Sequence, residues 1–106
     1  MARQRRDHDI DALIDEITVD CYGDDEELSA FAQVFEERAS LPCPGTVVGE
    51  RVEVLAVALV PGRRELVATC QRGPRRYRIA LLDIEIQADP ATERLLAAYR
   101  RWAAGT

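Results

Sequence analysis

The residues best suited to chemistry in this sequence are the twelve carboxylates between Asp7 and Glu37. No Arg or Lys interrupts this stretch, so it carries a formal charge of −12, whereas the whole chain carries −5. Carboxylate oxygens are hard ligands that suit calcium, and dense like charge attracts cations or basic partners. The stretch therefore predicts either a metal site or a surface that binds a basic protein.

An EF-hand is the first arrangement to test, because its loop places carboxylates at alternate positions. Asp7, Asp9 and Asp11 match the first three ligand positions of such a loop. However, Ala12 replaces the turn glycine and Thr18 replaces the bidentate Glu. An apolar helical stripe also crosses the supposed loop. The sequence excludes an EF-hand here.

A better metal candidate is the turn after the first predicted helix, where carboxylates meet the unpaired carbonyls of the helix C-terminus. The candidate ligands at this turn are Asp20, Asp24, Asp25, Glu26 and Glu27. A second predicted site combines Asp83 and Glu85 with an acidic helix across the domain. Carboxylates at a helix start are also what capping and the helix dipole select without any ligand, so both interpretations of the turn stay open.

Two apolar stripes predict a helical hairpin over residues 8–39. The first stripe comprises Ile10, Leu13, Ile14, Ile17 and Cys21, and the second comprises Leu28, Phe31, Ala32 and Phe35. Both follow the i, i+3, i+4 spacing of a helix with one buried face. Gly23 is placed to end the first helix, and Asp24 is placed to begin the second. Residues 1–6 precede the stripes and are expected to be disordered.

A β-rich segment and a last helix follow the hairpin. The Leu-Pro-Cys-Pro-Gly sequence at 41–45 cannot continue a helix, because proline lacks the backbone donor. Short β-rich runs over residues 45–87 predict a small antiparallel sheet, which we expect to curl into an SH3-like β-barrel. The Asp-Pro pair at 89–90 then begins a C-terminal helix over 89–104. At 106 residues, the chain is predicted to be one α+β domain.

Four segments of the sequence carry short motifs of hydrophobic, glycine and charged residues. They are Leu41–Val47, Gly49–Leu55, Tyr77–Glu85 and Tyr99–Trp102. The chain resembles, over roughly residues 20–102, the family of the cyanobacterial calcium-binding protein CcbP, whose motifs these segments match. The family comprises acidic, non-EF-hand bacterial proteins with a helical N-terminus and an SH3-like barrel. The resemblance implies Ca²⁺ as the cofactor, bound for buffering or for sensing.

Nucleophiles and phosphate-binding loops give no comparable signal. Cys43 lies between two prolines without a His partner, and the three cysteines show no metal-binding spacing. We therefore expect no enzyme activity and reduced thiols. An arginine-rich segment, Arg72–Arg78, could contact phosphate or RNA, but the net charge opposes this interpretation, and nucleic acid is not an expected partner.

Location and partners follow from composition. The first residues lack the apolar run of a secretory signal, and the longest apolar run is too short to span a bilayer, so we expect a cytoplasmic protein without membrane contact. Residues 51–78 carry +5 and are expected to neutralise part of the acidic stretch. The expected partner is the calcium ion, with a basic protein as the alternative. A homodimer is expected if the C-terminal helix leaves an apolar face uncovered.

Overall fold

Three helices and a five-stranded antiparallel sheet make up the structure, a computed structural model that describes the backbone of residues 2–105 and the side chains of residues 8–105. The helices are α1 (Ala2–Thr18), α2 (Asp24–Arg38) and α3 (Pro90–Ala104). The strands are β1 (Cys43–Val47), β2 (Glu50–Leu59), β3 (Leu66–Arg72), β4 (Arg75–Ala80) and β5 (Glu85–Ile86). The predicted α+β class is confirmed.

Helix α1 is longer than its apolar stripe predicts. It begins at Ala2, whereas disorder was expected for residues 1–6, of which Met1 lies outside the described residues. Arg and Gln are good helix formers, so the sequence between Ala2 and Arg6 can extend the helix without an apolar face of its own. Helices α1 and α2 pack against each other across a connection of only five residues, 19–23.

Strand β2 organises the sheet, whose order is β4-β3-β2-β1-β5. Its first half pairs with β1, and its second half pairs with β3. The register shifts between Val54 and Ala56, so Leu55 is an extra residue that bends the strand. The bend lets β2 belong to two differently oriented halves of one sheet.

The sheet curls but does not close into a barrel. Only four residues, 81–84, connect β4 to β5 at opposite edges, and three of them form a 3₁₀-helix, Leu81–Asp83. In a flat sheet these edges would lie about 19 Å apart, which exceeds the roughly 17 Å that the connection spans when fully extended. However, the two residues of β5 pair with β1, and no ladder joins β5 to β4 among residues 2–105. The predicted SH3-like barrel is therefore not confirmed.

An aromatic cluster joins the helices to the sheet. Phe31 of α2 is fully buried, and its ring centroid lies 5.7 Å from that of Tyr99 and 5.2 Å from that of Trp102 in α3. The buried Tyr99 hydroxyl accepts a hydrogen bond of 2.9 Å from the backbone N–H of Leu66, at the start of β3. The apolar face of α3 thus lies in the core, where it connects α2 to the sheet.

Ion pairs fasten α1 to α3. The Arg94 guanidinium donates to both carboxylate oxygens of Asp9, at 2.9 and 3.0 Å, and Arg101 does the same to Asp11, at 2.5 and 3.2 Å. The positive charge of residues 51–78 was expected to neutralise part of the acidic stretch. Among the described side chains, only Arg63 and Arg72 of that segment form ion pairs, and their partners are Glu65 and Glu50. The described ion pairs of residues 51–78 therefore do not reach the acidic stretch.

The turn between β1 and β2 holds an unfavourable residue. Val48 and Gly49 have φ angles of 49° and 79°, the combination that a type I′ hairpin turn requires. Asn is the preferred first residue of this turn, whereas a β-branched side chain is strained at positive φ. Val48 is also 96% exposed, so its side chain gains nothing from burial.

We therefore expect Val48→Asn to raise the free energy of unfolding by about 1 kcal/mol. Urea denaturation of both proteins measures the difference. Val19→Asn is the matched control, because Val19 is also exposed but is not at positive φ. An equal gain in both variants would show that the turn conformation is not the cause.

Candidate metal site

The turn between α1 and α2 begins with a left-handed residue. Helix α1 ends at Thr18, and Asp20, not the predicted Gly23, takes the left-handed conformation, with φ 66°. Asp tolerates this conformation better than most residues with a side chain. The backbone N–H of Cys21 donates to the Thr18 carbonyl oxygen at 3.1 Å. One carbonyl that was predicted to face a metal therefore already accepts a hydrogen bond.

Helix α2 begins at Asp24, as the sequence predicts. Gly23 is its N-cap, and Asp24 is its first helical residue. Asp24, Asp25, Glu26 and Glu27 fill the first turn, where the helix dipole favours negative charge. Gly23 has no side chain that could cap the helix. The Glu26 carboxylate accepts a hydrogen bond of 2.9 Å from the backbone N–H of Tyr22.

Three carboxylates act together on the Cys21 thiol. Burial raises the pKa of this thiol, and the negative charges of Glu26, Glu27 and Asp20 raise it further. These carboxylates belong to both sides of the turn, and their negative potentials add at Cys21. Cys21, Asp25 and Glu26 also line a shallow groove of about 380 Å³. Four of the five predicted ligands thus either raise the pKa of the Cys21 thiol or line the groove beside it.

The gathered carboxylates do not form a preassembled ligand cage. In the part of the chain with described side chains, no three His, Cys, Asp or Glu residues are close enough to hold a metal ion. Four of the five predicted ligands at the turn are exposed, and Glu27 is half-buried. The donor chemistry therefore fits calcium, whereas the coordination shell would have to be completed when the ion binds.

The second predicted pair lies in the β-rich segment. Asp83 ends the 3₁₀-helix and Glu85 begins β5, and both side chains are exposed. Glu85 accepts a long hydrogen bond of 3.4 Å from the hydroxyl of Thr46. The structure describes no cluster of potential ligands that includes either residue. Their combination with an acidic helix stays a prediction.

Charge compensation is uneven along the acidic stretch. Asp9, Asp11 and Glu16 each form an ion pair with an arginine. The carboxylates of residues 20–27 form none among the described side chains. Asp15, Glu36 and Glu37 form none either, but the five carboxylates of residues 20–27 are the densest group without an ion pair among the described side chains.

The turn also exposes two apolar side chains that sequence analysis did not select. Tyr22 is 90% exposed and Val19 is 64% exposed. Neither residue belongs to the apolar stripes. The sequence alone does not distinguish an apolar residue near a turn that is exposed from one that packs into the core. Their exposure beside uncompensated carboxylates is visible only in the structure.

The thiols do not support nucleophilic chemistry. All three cysteines are free, and Cys43, which the sequence analysis considered as a nucleophile, is buried. Burial raises the pKa of the Cys43 thiol, and the charges of Asp89 and Glu93 raise it further. A thiol that stays protonated at neutral pH is a poor nucleophile.

None of the described helices has the length and apolar character needed to cross a membrane.

Comparison with solved structures identifies the fold. One similar structure is the crystal structure of CcbP from Anabaena, with a TM-score of 0.75 and 24% identity, covering 95% of this chain and 90% of that chain. Another is a calcium-binding protein in its calcium-binding form, with a TM-score of 0.75 and 21% identity, covering 96% and 91%. No protein-family model and no curated protein sequence matches the chain. The resemblance predicted from sequence is thus confirmed for the fold.

Proposed function

We propose that this chain binds calcium at the turn between α1 and α2, as a binding protein and not as an enzyme. The observation that carries the proposal is the convergence of Asp20, Glu26 and Glu27 on Cys21 without a compensating cation among the described residues. Support comes from the fold, because one similar structure is named a calcium-binding protein and captured in its calcium-binding form.

Asp20, Glu26 and Glu27 would hold the ion, with Asp24 and Asp25 close enough to assist. Calcium takes six to eight oxygen ligands, so water and backbone carbonyls would complete the shell. Because no cage is preassembled in the described part of the chain, we expect a dissociation constant in the micromolar to millimolar range. Bound calcium would reduce repulsion among the carboxylates and thereby fix the start of α2. Phe31 of α2 is part of the core, so a change at the start of α2 would also affect the packing of the core. Calcium binding could then serve sensing as well as buffering.

The test is a calcium titration with residue-resolved NMR and thermal unfolding. At ten times the dissociation constant, calcium is expected to add about 1.4 kcal/mol of stability, which raises the melting temperature by roughly 5 °C or more. Chemical-shift changes should centre on residues 20–27. Trp102, the only tryptophan, contacts Phe31 and gives a fluorescence signal for the same transition.

Two triple variants separate a site from general charge. The Asp20→Asn, Glu26→Gln, Glu27→Gln variant should lose the calcium response. A control variant, with Asp15, Glu36 and Glu37 replaced by the corresponding amides, changes the net charge equally and should keep the response, since these carboxylates lie outside the turn. If calcium, magnesium and sodium chloride at equal ionic strength stabilise the protein equally, the proposal is wrong.

A second candidate function is the docking of a basic protein without metal. The exposed ring of Tyr22 favours it, because an aromatic side chain surrounded by carboxylates can bind Arg or Lys through both cation–π contact and charge. An arginine-containing peptide titrated in the presence of a calcium chelator distinguishes the two functions. Binding that Tyr22→Ala weakens supports docking, whereas a response to calcium alone supports the metal site.

A further inference from the structure

Strand β4 is an open edge of the sheet that carries only positive charge. It pairs with β3 on one side, and the order β4-β3-β2-β1-β5 leaves its other side without a neighbouring strand among residues 2–105. Its six residues make it much longer than β5, the opposite edge, which has two. The outward N–H and C=O groups of an edge strand are a ready template for a further strand.

The side chains of β4 face both sides of the sheet and are exposed. Register places Arg76 opposite Gln71 and Arg78 opposite Thr69, on one face, whereas Tyr77 lies opposite Cys70 on the other. All residues from Arg75 to Arg78 are exposed. The strand contains three arginines and no acidic residue, so it presents cations on both faces of its free backbone.

The arginines of β4 are poorly compensated by the rest of the described chain. Arg75 and Arg78 make no ion pair or side-chain hydrogen bond with any residue whose side chain the structure describes. Within the same residues, Arg76 donates only to the neutral amide oxygen of Gln71, at 3.2 Å. The charge of β4 is therefore available to a ligand from outside the chain.

We propose that β4 binds an extended acidic peptide segment of a partner protein, which adds to the sheet as a sixth strand. The backbone ladder supplies pairing that does not depend on sequence, and acidic side chains placed opposite Arg76 and Arg78 supply selectivity. Cross-strand pairs of opposite charge stabilise a sheet, whereas like charges directly opposite each other destabilise it. Pairing of β4 with β4 of a second copy would oppose arginine to arginine and is therefore disfavoured.

An extended peptide fits this edge better than a nucleic acid. Single-stranded nucleic acids bind basic grooves in which exposed aromatic rings stack on bases. Tyr77 is the only aromatic residue of β4; it is 36% exposed and lies on the face that holds the buried Cys70. The net charge of −5 also repels a long polyanion. A short acidic strand carries far less charge than a long polyanion, and salt screens it from charges more than about 10 Å away, so the nearby arginines dominate its interaction.

The test titrates the full chain with a capped peptide that alternates Glu and Val. Binding should shift the β4 resonances and slow hydrogen exchange of the outward β4 amides, because those amides become hydrogen-bonded. The same peptide with Lys in place of Glu should bind at least about tenfold more weakly. Arg76→Glu combined with Arg78→Glu should produce a loss of similar size.

A control variant combines Arg64→Glu with Arg100→Glu, which changes the net charge equally at two exposed arginines outside β4 and should keep the affinity. Three outcomes of the binding experiments would overturn the proposal. They are binding without slower exchange in β4, equal binding of the Glu and Lys peptides, and tighter binding of a single-stranded oligonucleotide. Self-association of the free chain through β4 would overturn it as well.

Discussion

Phe31→Ala is expected to lower the free energy of unfolding by about 3–5 kcal/mol. Phe31 is fully buried and lies against Tyr99 and Trp102, so its removal leaves a cavity where α2, α3 and the sheet meet. A domain of this size has about 5–15 kcal/mol of stability in total. The variant should therefore be marginal or unfolded at 37 °C.

Guanidinium denaturation followed by far-UV circular dichroism and by Trp102 fluorescence measures this loss. The matched control is Tyr22→Ala, another removal of an aromatic ring from the helical hairpin. Because Tyr22 is 90% exposed, this change should stay within about 0.5 kcal/mol. A loss below about 1.5 kcal/mol for Phe31→Ala, or equal losses in the two variants, would contradict the packing of α2 described above.

Gly45→Ala is expected to cost about 1–3 kcal/mol, although it adds only one methyl group. Gly45 lies in β1 and pairs with Val52 of β2 on one side and Ile86 of β5 on the other. A Cβ atom at this position would lie 3.0 Å from the carbonyl oxygen of Glu85 and 3.1 Å from a methyl group of Val54. A backbone carbonyl cannot rotate away as a side chain does, so β5 would have to move.

The same substitution at Gly105 is the control, because a Cβ atom there would lie 3.7 and 3.8 Å from its nearest neighbours and would make only ordinary contact. Gly105→Ala should leave the free energy of unfolding within about 0.5 kcal/mol of its original value. In Gly45→Ala, hydrogen exchange should accelerate first at β5 and at Gln87, whose N–H donates to the Pro44 carbonyl oxygen at 2.9 Å. Unchanged stability in Gly45→Ala would show that β1 tolerates displacement.

Local patterns in the sequence predicted the elements well, because each depends on residues near one another in the chain. The apolar stripes that contain Ile10 and Phe31 predicted both hairpin helices, and the Asp89-Pro90 pair predicted the start of α3. Closure of the sheet depends on how far β2 bends at Leu55 and on the length of β5. The alternation of apolar and polar residues encodes neither quantity. It could therefore predict the strands but not whether the sheet closes, and the expected barrel is not confirmed.

The candidate site was predicted less completely, for a related reason. The acidic turn was found because its residues are adjacent in sequence. Which carboxylates stay uncompensated depends on Arg94 and Arg101, which reach Asp9 and Asp11 from the other end of the chain. The exposure of Tyr22 likewise depends on tertiary packing, and no residue spacing reports it.

The ion pairs between α1 and α3 also bear on the order in which the molecule folds. They join residues 85 and 90 positions apart, so forming them requires closure of nearly the whole chain. Exposed ion pairs stabilise a fold only slightly, so they do not offset the entropy lost when this loop closes. The buried Ile10, Leu13 and Ile17, and not the ion pairs, therefore supply most of the free energy that holds α1 in place. We infer that α1 docks on α3 late in folding, after shorter-range contacts have formed. Calcium bound at the proposed site would then stabilise the segment that joins this late-docking helix to α2.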